Sequence, residues 1–185
     1  METLICIHSR RSYGVLKADP VSKEKVEALL GAAVQAPNHY KVRPWQFIVI
    51  SGIGLSKLGD VMAKSLSQKT PDLPADALDK ERAKPLRAPL IIAVGVSKPS
   101  EPKISEVENI CASAAACQNI LLAAHELGLS AIWRTGPSAT DPMVKEFLGL
   151  GPEQHLIGFI YIGYPDKTPE PAERPSYQDR TTWIQ

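Results

Sequence analysis

The stretch ISEVENICASAAACQNILLAAHEL, residues 104–127, is the longest segment of this chain that reads as helix, and Gly128 ends it with a glycine directly after the last apolar turn. Its middle is Ala112-Ser113-Ala114-Ala115-Ala116. Small residues on successive turns let another backbone come close, which places this helix at the centre of the fold or of a dimer. Alanine's helix propensity alone produces the same run, so both readings stand at this level.

Working outward, Ser22 before Lys23-Glu24-Lys25 reads as an N-cap, and Val26, Leu29, Leu30 and Ala33 repeat at helical spacing until Pro37 stops the segment. Residues 54–67 are helical by the spacing of Leu55, Leu58, Val61 and Met62, a shorter helix falls within 71–84, and 141–148 supply another. Residues 4–8 form a short amphipathic first segment. Strands are expected at 45–50, 90–96, 130–134 and 156–161, from their aromatic and β-branched content and the turn residues that bound them. Helices outnumber strands, and neither a regular strand-helix alternation nor an internal repeat is present. The pattern predicts an α+β fold around a small central sheet.

At 185 residues the chain is expected to form a single domain spanning 1–185, with roughly 70% of its unfolded surface buried. Lys and Arg number 21 against 20 Asp and Glu, a net charge of +1, so no field is available to attract nucleic acid. Cys6, Cys111 and Cys117 are odd in number with no Cys-x-x-Cys spacing; they are expected to be buried thiols, neither a disulfide framework nor a metal site. No basic stretch followed by a long apolar one opens the sequence, and the purest apolar run, 90–96, is far short of the ~20 residues of a membrane span. A cytoplasmic protein with no membrane partner is the expectation. Pro165, Pro169, Pro171 and Pro175 crowd the C-terminal region, which should be extended.

Several common chemistries lack their parts. Gly52-Ile53-Gly54 is followed by Lys57 where a dinucleotide fingerprint needs a third glycine, so it reads as a turn. His8, His39, His125 and His155 have no zinc-ligand spacing, and no Gly-x-Ser-x-Gly elbow exists. Three other motifs carry signal. Arg10-Arg11-Ser12, at the end of the first helical segment, offers many donors and almost no acceptor, the chemistry that grips a phosphate or an electron-rich ring edge. Ala36-Pro37-Asn38-His39, followed by Pro44-Trp45-Gln46-Phe47, places Asn38 and His39 on an irregular loop with free donors, anchored by the strand that Pro44 launches. Ile132-Trp133-Arg134-Thr135-Gly136 ends a strand in an arginine, a hydroxyl and a glycine, which permits close approach to a flat ligand. Each has a plainer reading as a solvated helix end, a helix-to-strand connection or a core tryptophan before a turn.

In their order and spacing, the three motifs resemble those of the FMN-dependent nitroreductase family, in its minimal, short-chain branch, across essentially the full chain. Two departures stand out: Arg43 precedes Pro44 where the branch usually has glutamine, and Gly14 stands where many relatives carry a lysine. Contact with the flavin pyrimidine edge thus falls to either Arg11 or Arg43. The resemblance implies a small, mainly antiparallel sheet flanked by helices, in an intertwined homodimer with FMN sites at the interface. It implies that FMN carries the chemistry, taking hydride from NAD(P)H and giving it to a small-molecule acceptor such as a nitroaromatic or quinone, with no catalytic side chain. Arg10, Arg11, Ser12 and Arg134 would hold the phosphate and ring carbonyl edge, with Trp133, Thr135 and Gly136 beside them. Pro37, Asn38 and His39 would arrive from the other subunit. Residues 70–84, a long insertion in larger relatives, are short here, which implies an open, permissive pocket. A non-catalytic FMN sensor or carrier, or an FMN enzyme reducing another substrate such as a halogenated aromatic, is the alternative.

Overall fold

The structure, a computed structural model, describes residues 2–169 and 173–185. Trp45–Ser51 (β1), Leu90–Val96 (β2), Ser130–Arg134 (β3) and His155–Gly163 (β4) form one sheet in the order β1-β2-β4-β3, with every neighbouring pair antiparallel. Every residue of β2 is buried, because helices cover both faces of the sheet and a period-two strand then needs apolar side chains at every position. Leu90, Ile92 and Val94 join Ile160 and Ile162 of β4 in one core, while Ile91 and Ala93 join Phe159 and Tyr161 in the other.

The helices are Thr3–Ser9 (α1), Lys23–Ala33 (α2), Ile53–Lys69 (α3), Ala75–Arg82 (α4), Glu106–Glu126 (α5) and Pro142–Phe147 (α6). One core receives Leu29 and Ala33 of α2 with Ala116, Cys117, Ile120 and Ala124 of α5; the other receives Leu55, Leu58 and Met62 of α3 with Val144 of α6. The sheet is therefore sandwiched between two helical layers, as the α+β reading of the sequence expects. α5 starts two residues later than its apolar pattern suggests because Ser105 is the cap: its side chain takes an N–H of the first turn, and Glu108 reaches back to the Ser105 N–H at 2.9 Å. Length and composition alone would let α5 cross a membrane, yet its apolar side lies packed on the sheet.

The expectation of three buried thiols holds for two. Burial pushes the Cys117 thiol up to about 12, and Cys6 is buried on α1, where its thiol donates to the Leu122 carbonyl of α5 at 3.5 Å. Cys111 is exposed, since it lies one turn after the 66% exposed Val107 on the face of α5 turned away from the sheet. The C-terminal region is extended through Pro165, Pro169 and Pro175 apart from a short 3-10 turn at Gln178–Arg180; Pro171 lies outside the described residues.

Asp141, 2% exposed, ties α3 and α6 together. It caps α6 through the Val144 N–H at 3.1 Å and accepts from Ser65 and Lys69 of α3. Burial pushes its carboxyl up, but the Lys69, Ser65 and Val144 donors together outweigh burial and hold it below the usual carboxylate range. A depressed folded value means the stabilisation is present above the ordinary carboxyl pKa and lost as pH falls through the folded one. Asp141→Asn should therefore lower stability by about 2 kcal/mol at neutral pH. Urea melts of both proteins between pH 7 and 2.5 should show that difference shrinking below about pH 4; a gap constant with pH would contradict the ionic role.

Candidate functional site

α1 ends at Arg10, whose backbone turns extended at φ −57°, ψ 137°. From there the chain runs along the open edge of β3. Ser12 bridges Ala131 in parallel, the Tyr13 N–H donates to the Ala131 carbonyl at 3.3 Å, and Lys17 N–H donates to Tyr164 at 2.9 Å. The double-arginine motif is thus pinned to the sheet by backbone bonds, leaving its side chains for other work.

Those side chains meet the C-terminal region. Arg174 Nη2 donates to the Arg10 carbonyl at 3.4 Å, and Arg11 Nη1 donates to the His8 carbonyl at 2.6 Å. Arg10, Arg11, Ser9, His125 and Thr168 line a cavity of about 430 Å³ that no carboxylate lines among the described residues. Arg10 Nη1 is buried without a hydrogen-bond acceptor. Burial, then Arg174, then Arg11 push the Arg10 guanidinium down from its ordinary value. Like charges converging on a desolvated donor describe a receptor for an anion.

Farther along β3 sits Arg134. Its guanidinium lies 5.4 Å from the centre of the Tyr161 ring, and its Nε is buried with no partner. Burial raises the Tyr161 hydroxyl, against the lowering influence of Arg134 and Arg87. A Cβ on Gly14 would come within 3.1 Å of Arg134 Nη2, so the small residue there leaves room for the guanidinium that reaches beside it from β3. Trp133 is committed structurally: its indole N–H donates to the Ile157 carbonyl at 3.1 Å. Thr135 and Gly136 are exposed, and Gly136, at φ 113°, turns the chain into the 3-10 turn Pro137–Ala139.

The loop motif lies elsewhere. Pro37, Asn38 and His39 line a cavity of about 410 Å³ with Glu108, Cys111 and Ala115 of α5. His39 Nε2 is 3.9 Å from Glu108 Oε1. Asn38, expected on a loop with free donors, has part of its amide engaged: Nδ2 donates one N–H to the Ala36 carbonyl at 3.3 Å and Oδ1 accepts the Arg43 N–H at 2.9 Å, because a short amide side chain closes the turn that Pro37 begins. Arg43 is exposed on that loop. Within one chain the arginine cluster sits by Leu121 and His125 and the loop cluster by Glu108 to Ala115, ends of α5 about 20 Å apart at 1.5 Å per residue. Arg174, Tyr161 and Glu108 belong to these clusters without any motif that would single them out in the sequence.

A sheet between two helical layers, with guanidiniums along one edge and a cavity that no carboxylate lines among the described residues, defines a class of protein that grips an anionic cofactor. Residues 7–164 match the model of the nitroreductase family, and the chain belongs to that family, as its motifs suggested. "Putative NAD(P)H nitroreductase YdjA" of Escherichia coli K12 is 32% identical over 165 residues, 89% of each chain. The crystal structure of the nitroreductase-like family protein from Bacillus cereus superposes with a TM-score of 0.87 at 29% identity, covering 100% of this chain and 97% of that one. A "putative nitroreductase in complex with FMN" from Desulfovibrio desulfuricans gives 0.70 at 28% identity, over 93% and 91%.

Proposed function

We propose that the chain is an FMN-dependent NAD(P)H oxidoreductase that reduces nitroaromatic, quinone or similar acceptors. The observation that carries the reading is the buried, unpaired Arg10 Nη1 set among Arg11 and Arg174, in a cavity that no carboxylate lines among the described residues. A phosphate supplies the missing charge. Arg10, Arg11, Ser12 and Arg174 would hold that phosphate, while Arg134 would donate to the ring's carbonyl edge. FMN, when bound, accepts hydride from the nicotinamide and passes it to the acceptor. The residues of this chain bind, orient and tune it.

A homodimer would complete the same site. A second copy packed antiparallel on α5 about Gln118 would set the loop cluster of one chain against the arginine cluster of the other, with Pro37 and His39 flanking the ring from the partner side. The surfaces available for this are apolar: Leu4 is 69% exposed on α1, Ile5 and Ile7 are exposed beside it, and Val107 and Cys111 are exposed on α5. Sedimentation should give a dimer, and anaerobic NADH or NADPH should bleach the yellow of FMN-loaded protein. FMN that stays oxidised with both nicotinamides would instead mark a sensor or carrier.

A further inference from the structure

Three non-glycine residues within four positions have positive φ: Tyr40 at 47°, Lys41 at 58° and Arg43 at 50°. Such a backbone is strained for a bulky side chain and persists only where its surroundings hold it. Asn38 holds it from both sides, as described above, and Val42 N–H donates to the His39 carbonyl at 3.1 Å. Burial is no compensation, because Tyr40 is 62% exposed. The ring is nevertheless located on two sides: His39 meets it edge-on, centroids 4.2 Å apart at 78°, and Lys103 Nζ stands 4.6 Å from its centre. Lys103 is also 2.9 Å from Glu101, so it is an anchored cation. An exposed, strained aromatic next to His39 and its cavity has a surface for something flat.

We propose that Tyr40 determines acceptor specificity, its electron-rich phenol ring forming a platform on which flat, electron-poor aromatic acceptors stack beside His39. The inference rests on the functional reading above. Offset stacking between an electron-rich and an electron-poor ring is favourable, and an acceptor without a ring gains nothing from it.

The test uses FMN-loaded protein with menadione as ring acceptor, ferricyanide as ringless acceptor, and 1,4-dicyanobenzene as a flat, electron-poor ligand whose binding is measured by calorimetry. Tyr40→Ala should raise the ratio of the menadione KM to the ferricyanide KM about three- to tenfold, and weaken dicyanobenzene binding by a similar factor. Tyr40→Phe, which keeps the ring, should restore both to within about twofold of wild type by the same reasoning. Tyr40→Gly relieves the positive φ, so its melting temperature should rise while its KM ratio follows that of Tyr40→Ala. An unchanged ratio and unchanged dicyanobenzene binding in Tyr40→Ala would overturn the inference while leaving the oxidoreductase reading intact. Wild-type protein that takes up no FMN would overturn both.

Discussion

Replacing Arg10 by alanine is expected to weaken FMN binding about 10- to 150-fold, because losing one charge-assisted hydrogen bond removes roughly 1.5 to 3 kcal/mol and each ~1.4 kcal/mol is a factor of ten in affinity. The apo protein should respond in the opposite sense. Arg10 is partly desolvated and stands against Arg174 and Arg11, so without a bound anion its charge is unfavourable where it is. Removing it should leave the melting temperature of the apo protein unchanged or slightly higher. The rise produced by added FMN should shrink, since a ligand bound only by the folded state stabilises by RT ln(1 + [L]/Kd). Titration of FMN into apo protein, with melting curves at each concentration, separates the two effects. Undiminished affinity together with a lower apo melting temperature would make Arg10 a structural residue and remove the phosphate site.

Gly158→Ala should be strongly damaging for so small a substitution. Gly158 has φ +144° and lies in β4 where the pairing with β2 shifts register between Val94 and Gly95. A Cβ there would come 2.4 Å from Trp133 Nε1 and 2.6 Å from the Arg134 carbonyl. Relief requires moving the end of β3, breaking the Trp133 to Ile157 hydrogen bond and displacing Arg134. Overpacking plus an unfavourable backbone region amounts to about 3 kcal/mol, read as a shift in the urea midpoint, with FMN retention falling in parallel. Gly31→Ala is the control. Nothing lies within 4 Å of a Cβ at Gly31 on α2, so that change should be neutral or stabilise by about 0.5 to 1 kcal/mol. Equal behaviour of the two alanine variants would mean that the bulge does not position the end of β3.

Local patterns in the chain determined the elements themselves. The apolar run at 90–96 coincides with β2 and the segment at 130–134 with β3. The Ser22 cap falls where the helix begins, and the polar, proline-containing connections fall between elements. These signals are legible because each depends on residues within a turn or two of one another: cap to first N–H, period two along a strand, glycine after the last helical turn. The three motifs also announced the family, since their order along the chain is itself sequence information.

Tertiary structure alone decided the remainder. No local pattern says that β4 inserts between β2 and β3, nor that Arg174 returns across 164 positions to the Arg10 carbonyl. The same holds for Cys111, whose helical neighbours look as apolar as those of Cys117 but whose angle on α5 turns it away from the sheet. Asn38 was read on a loop with free donors because its residue type has donors; only the folded loop shows one amide N–H engaged by Ala36 and its Oδ1 by Arg43. Sequence specifies what each segment becomes through short-range sterics and hydrogen bonding. Which charges share a cavity, and which polar groups stay unpaired there, depends on long-range packing that brings distant segments together.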